Sequence, residues 1–376
     1  YLDYNGTTPH DPEVIEAMRP FLETVFGNPS SSHWYGIKPK KAVERAREQV
    51  AGILNCRPAD VIFTSGGTES NNHAILGMAR RMQAKGNHII TSSFEHPAVF
   101  EACGHLARRG FEISYLPVSP EGLVDPGDVE AAIRPETILI TIMHANNEVG
   151  TVQPLADISR VARGHGIALH TDAAQSVGKI PTDVQEMGVD LLSVAGQKVY
   201  APKGIGALYV RAPMDPEKFC WGAGQENGRR AGTENVMGIA GLGKACEIAR
   251  EGLDKTMAHM TYLRDRLHEG LLSRLTDIRL NGSQVQRLPN TASISFKGLE
   301  ANRILEEIGL EVAASAGAAC HADTVELSHV LIAMGVPVEW AKGTLRFSVG
   351  RMTTEPEIDK ATRVVANAVE KLRGLC

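Results

Sequence analysis

The feature that most limits how this chain can fold is a repeated alternation between short apolar β-rich runs and stretches of helical period. The runs fall at 61–64, 88–92, 111–116, 137–143, 167–171, 190–194 and 206–210, and the helical stretches at 43–54, 68–83, 97–108 and 155–164. Strands alternating with helices predict βαβ units and a largely parallel sheet. Several runs are apolar throughout, the pattern of strands covered by helices on both faces.

From residue 236 the texture changes. A long, charge-laced helical region runs through 275. After it the pattern predicts a strand at 291–296, a helix at 301–308, a short strand at 310–315, a helix at 325–334, a strand at 344–349 and a final helix from 355. The expected class is therefore α/β, with a large, mainly parallel domain over 15–250. A smaller α+β domain takes 251–376, with residues 1–14 folding back onto it.

Composition narrows the partners. A formal net charge of −5 argues against nucleic acid or an anionic membrane as the main partner. No apolar run approaches the roughly 18 residues of a spanning helix. The opening YLDYNGTTPH has neither the basic stretch nor the apolar core of a signal peptide. Cysteines stand at 56, 103, 220, 246, 320 and 376 with no CxxC pair. That spacing argues against a disulfide framework or a cysteine zinc site and fits a reducing, cytoplasmic setting.

In open parallel sheets ligands gather at the carboxyl ends of strands; three segments there carry chemistry, and an arginine of the smaller domain joins them. The first is Thr64-Ser65-Gly66-Gly67-Thr68-Glu69-Ser70, which follows a strand and opens a helix. Its glycines, first-turn amides and Thr68 hydroxyl suit a phosphate. A plain tight turn with Thr68 as N-cap is the other reading, and the GK[ST] ending of a P-loop is missing. Asp172, at the end of a second strand, suits a protonated pyridine nitrogen; capping the next helix, or binding a metal with His170, are the alternatives. Lys198 follows an apolar strand, and an amine in a partly apolar pocket has the lowered pKa that condensation with an aldehyde requires. Lys203, its competitor, reads as a surface residue of the following turn. Arg346 emerges from a strand and suits either a carboxylate gripped as a fork or a surface ion pair.

The segments TSGGTESNN, EHPAV, MHANNEVG, HTDAAQ, GQENGRRAGTEN, LPNTASISF, SAGAAC and RFSVGR occur in this order. From LDYNGTTP to GRMTTEPEID the chain resembles the cysteine desulfurases, pyridoxal-phosphate (PLP) enzymes of fold type I within the class V aminotransferases. The resemblance implies that Lys198 binds PLP covalently, Asp172 pairs with the ring nitrogen and Gln175 bonds the ring's phenolic oxygen. His96 is similar to the histidine that stacks on the ring and relays protons. Gly67 and Thr68 would hold the phosphate, joined by Thr233 from a neighbouring subunit, so that a homodimer completes the site. Asn147 would reach the ring oxygen and, with Arg346, the carboxylate of L-cysteine.

Cys320 is the implied nucleophile. It lies in Ala314-Ser315-Ala316-Gly317-Ala318-Ala319-Cys320-His321, read as standing between a short strand and a helix. It would take sulfur from L-cysteine, release L-alanine and pass a persulfide to an acceptor, an iron–sulfur scaffold or another sulfur carrier such as those of tRNA thiolation. Two positions depart from the pattern. Relatives carry a serine or threonine where this chain has Ala195, and a histidine where it has Gln197. Gln197 keeps one neutral donor for the phosphate and Ala195 keeps none, so weaker PLP retention is expected. The rival readings are a selenocysteine lyase, a PLP aminotransferase or carbon–carbon lyase indifferent to Cys320, and a binding protein without catalysis.

Overall fold

The computed structural model describes residues 1–321 and 324–374, with the backbone alone for 318–321 and 324–326. Seven strands, β1 (Val61–Thr64), β2 (His88–Ser92), β3 (Glu112–Leu116), β4 (Thr137–Thr141), β5 (Ala168–Asp172), β6 (Leu191–Ala195) and β7 (Gly206–Val210), form one sheet in the order β1-β7-β6-β5-β4-β2-β3. β2 runs parallel to β3 and β4, β4 to β5, and β5 to β6. β7 is antiparallel to both its neighbours, β1 and β6. The chain between β6 and β7 covers only 196–205, too short for the crossover that a parallel return needs.

Both faces of this sheet are covered. Phe63, Ile90, Ile140, Leu169 and Leu192 join one apolar cluster, and the residues before each of them, Ile62, Ile89, Leu139, Ala168 and Leu191, join another. Alternation of side chains along a strand sends neighbours to opposite faces, so an unbroken apolar run is what two covered faces demand. Four helices enter early in the chain: α1 (Pro12–Glu23), α2 (Trp34–Leu54), α3 (Gly67–Met82) and α4 (Pro97–Ala107). α1 was not predicted, although Asp11 caps it by accepting from the Glu13 amide, with Pro12 at the first turn.

A second sheet is antiparallel: β8 (Ile278–Asn281), β9 (Thr291–Phe296), β10 (Ser315–Ala316) and β13 (Thr344–Ser348), in the order β10-β13-β9-β8. Between β10 and β13, β11 (Ala318–His321) and β12 (Thr324–Leu327) pair as a two-stranded hairpin. Three expectations need correction here. The long helical region is two helices, Val236–Glu251 and Leu253–Leu272, divided at Gly252. Of 310–315 only Ser315 enters a strand; Leu310 is fully exposed and gives an apolar run no face to bury. The helix expected over 325–334 begins only at His329, where the Ser328 hydroxyl accepts from the amides of Val330 and Leu331.

The N-terminus bridges the two sheets. Leu2 lies in the core of the second sheet, and Ser348 donates its amide to the Leu2 carbonyl at 2.8 Å. Six residues on, the Thr8 amide donates to Gln197 beside the first sheet at 3.0 Å. Among the described residues no helix is long and apolar enough to cross a membrane.

Candidate active site

A cavity of about 380 Å³ opens at the carboxyl ends of β1, β5 and β6 and is roofed by β13 and the N-terminal segment. Gly67, Thr68, His96 and Asn147 line it, as do Asp172, Gln175, Gln197, Lys198 and Arg346. Residues spread over more than half the chain thus converge on one space.

One end is an anion cradle. Gly66 precedes α3 with φ 152°, a conformation that favours glycine, and nothing lies within 4 Å of where its Cβ would stand. A Cβ on Gly67 would lie 3.1 Å from that of Ala195, so the start of α3 sits hard against the end of β6. Thr68 is exposed, and Gly66, not Thr68, occupies the cap position, which corrects the N-cap alternative. Glu69 would oppose an anion here, but it is gripped by Arg230 through bonds of 2.8 and 3.2 Å.

In the same cavity, Asp172 accepts from Asn71 Nδ2 at 2.7 Å and from the Ala174 amide at 2.9 Å. Its neighbour His170 bonds the hydroxyls of Thr141 and Ser193 through its two ring nitrogens, which makes it a core histidine and not a ligand. Lys198 stands on the turn after β6, its Nζ donating to the carbonyls of Asn5 at 2.6 Å and Gly6 at 2.5 Å. Burial, aided by the Arg346 guanidinium, brings its pKa down to about 8 against the pull of Asp3 and Asp172. Lys203 is exposed on the following turn.

His96 caps α4, with Nδ1 accepting from the Ala98 amide at 3.0 Å; this fixes the proton of the neutral ring on Nε2. Desolvation lowers its pKa, with Lys198 and His329 adding to the effect. Arg346 donates to Asp3 at 2.6 Å and to the Asn147 carbonyl at 3.0 Å, while its buried Nε has no partner among the described residues. An aimed guanidinium with an unspent donor is what a ligand carboxylate requires.

Thr233 is exposed and stands outside the lining of this chain's own cavity. Cys320 lies within β11, not between a strand and a helix as read from the sequence; its side chain falls outside the described residues. Cys103 and Cys246 are buried, and burial pushes both thiols up to about 12, which leaves them inert.

Sequence reasoning missed four groups that build the site. Asn71 holds Asp172. Asn5 supplies a carbonyl to Lys198. Lys179 is a buried lysine bonded to Gln175 and Asn5. Glu95, fully buried, accepts from Ser92 and from the Met143 amide, and burial pushes its pKa up to about 8. Asn71 and Glu95 stood inside quoted motifs; Lys179 carried the signal of any lysine in an apolar stretch.

Residues 1–361 match the family described as aminotransferase class-V. Among curated relatives, cysteine desulfurase IscS of Dictyoglomus turgidum is 50% identical, with all of this chain and 95% of the relative covered. Cysteine desulfurase IscS of Methanosarcina thermophila is 46% identical, covering all of this chain and 93% of the relative. A solved NifS-like protein superposes with a TM-score of 0.92 at 36% identity over 99% of each chain.

Proposed function

Because the chain belongs to the aminotransferase class-V family, we propose that it is a PLP-dependent cysteine desulfurase, converting L-cysteine to L-alanine and carrying the sulfur on Cys320. The cavity fits the cofactor: a glycine cradle open toward an anion, a carboxylate and an amine of lowered pKa all line it. PLP supplies an electron sink for chemistry at an amino acid's Cα.

Lys198 would hold the cofactor, Asp172 would face its ring nitrogen and His96 its ring. Gln175 and Asn147 would donate to the ring oxygen. Gly67, Thr68 and Gln197 would hold the phosphate, with Thr233 of a second subunit. Exposed aromatic side chains, Phe26, Trp34 and Trp221 among them, support a homodimer that covers them. Arg346 and Asn147 bind the substrate carboxylate, Asp3 keeping the guanidinium aimed. With a pKa near 8, Lys198 can both take the Cα proton and return it at neutral pH. The Cys320 thiolate attacks the substrate sulfur; an S–S bond forms as the Cβ–S bond breaks, the electron pair going to carbon. The persulfide then passes to an acceptor protein in the cytoplasm, an iron–sulfur scaffold or another sulfur carrier.

The observation that carries this reading is Lys198, a half-buried amine with a lowered pKa in the same cavity as Asp172 and the cradle. Brief exposure of PLP-loaded protein to cysteine, followed by peptide mass mapping, tests it. A one-sulfur increment on Cys320, absent from the Cys320→Ala variant, is expected. Full turnover of cysteine by that variant would overturn the assignment.

A further inference from the structure

We propose that Lys179 is a positioning residue of this cavity: its amine fixes which way round the Gln175 amide sits, and so makes Gln175 a donor toward the cavity. Lys179 is only 4% exposed, and its Nζ lies 2.7 Å from Gln175 Oε1 and 3.1 Å from Asn5 Oδ1. Among the described residues no carboxylate offsets its burial; the charged groups that bear on it, Lys198 and Arg346, are both cationic. Burial and these neighbours hold its pKa well below the ordinary lysine range. Two oxygens, those of Gln175 and Asn5, face its N–H bonds.

The other end of the Gln175 amide agrees with this orientation. Its Nε2 donates to the Asn5 carbonyl at 3.0 Å, and a carbonyl can only accept. Turning the amide round would set its oxygen against that carbonyl. One Nε2 hydrogen remains unspent, on a residue that lines the cavity. The same Asn5 carbonyl receives Lys198, so the two lysines share one residue as their footing. A methionine at 179 would fill the space and donate nothing, leaving the Asn5 carbonyl as the single contact that orients the amide, with Oε1 unpartnered.

The proposal rests on PLP occupying the cavity. Wild type, Lys179→Met, Lys179→Gln, Gln175→Ala and the Lys179→Met/Gln175→Ala double variant are each loaded with PLP. PLP affinity and the pH midpoint of the bound cofactor's visible absorbance are then measured. A donor toward an oxygen favours its deprotonated form, so losing the donor raises the midpoint. Lys179→Met is expected to raise it by about one unit and weaken PLP binding roughly 10-fold, the size of one buried hydrogen bond. Gln175→Ala should match it and the double variant should add nothing. Lys179→Gln, which keeps a neutral donor, should stay within about threefold of wild type. A Lys179→Met protein with the wild-type midpoint, or a double variant whose effects sum, overturns the proposal. If Lys179→Met does not fold, Gln175→Glu reads the same donor: an unchanged midpoint there is equally fatal. A wild-type protein that binds no PLP would instead sink the reading of the cavity itself.

Discussion

At the floor of the cavity, Lys198, Asp172 and Gln175 each hydrogen-bond a residue about 100 or more positions away in sequence. The β11–β12 hairpin that carries Cys320 pairs, in the described backbone, only with itself. Its ties are at the base. Gly317 donates to Thr344 and Ser328 to Gly317, the Ser328 hydroxyl reaches Glu148 at 2.5 Å, and His329 meets the Glu95 carbonyl at 2.9 Å. A group that must stay at one station is served by cross-links from many elements. A thiol with two stations, substrate and then acceptor, is served by an element attached at its root.

The sharpest break of this comparison is at the floor. Lys198→Ala should abolish covalent PLP: borohydride reduction followed by mass mapping should find no pyridoxyl adduct on the variant, and one on residue 198 of wild type. An adduct on the exposed Lys203 would move the site. The same amine sets a pH dependence. Below its pKa of about 8 it is protonated and cannot condense with an aldehyde. PLP capture by the cofactor-free chain should therefore rise roughly 50-fold from pH 6 to pH 8 and flatten above, followed by stopped-flow absorbance. A flat profile would contradict the lowered pKa.

Smaller effects sharpen the contrast. Arg346→Lys replaces a fork by a point charge; a loss of about 2 kcal/mol should raise the KM for cysteine roughly 30-fold with less change in kcat. Gln197→His would add a charge-assisted donor at the cradle, and PLP affinity by equilibrium titration should tighten roughly 10-fold. Unchanged affinity would remove Gln197 from the phosphate site. Ser328→Ala removes a helix cap and the bond to Glu148, a loss of about 1 kcal/mol. It should slow sulfur transfer to an acceptor and leave PLP affinity as it was. Weakened PLP binding would mean that root and floor are one unit.

The same division governs what could be read from the chain. β1, β2 and β7 fall on the residues expected, because an apolar run with two covered faces is a strong local signal. Asp172 and Lys198 could be placed because each directly ends or follows such a run. Asn5 and Lys179 could not. Asn5 meets Gln175 and Lys198 from 170 or more positions away, and Lys179, although only four residues from Gln175, also needs Asn5 from 174 away, so local spacing does not announce the group they form. In the second sheet β9 also falls on its expected residues and β13 within one, whereas around the hairpin the elements are short and the signals weak. Val325 and Leu327 alternate with Glu326, a period of two, yet the apolar residues from 330 onward drew the expected helix back over them.

The opening segment has one more consequence, for the order of events during synthesis. Asn5 leaves the ribosome long before its partners: its amide is met by Ser348, and the Asp3 carboxylate beside it by Arg346, each 343 positions later. Until that late strand emerges, the carbonyls that receive Lys198 have no fixed address. A chain cut short of residue 346 therefore lacks the partners that hold Asp3 and Asn5, and with them the footing of Lys198.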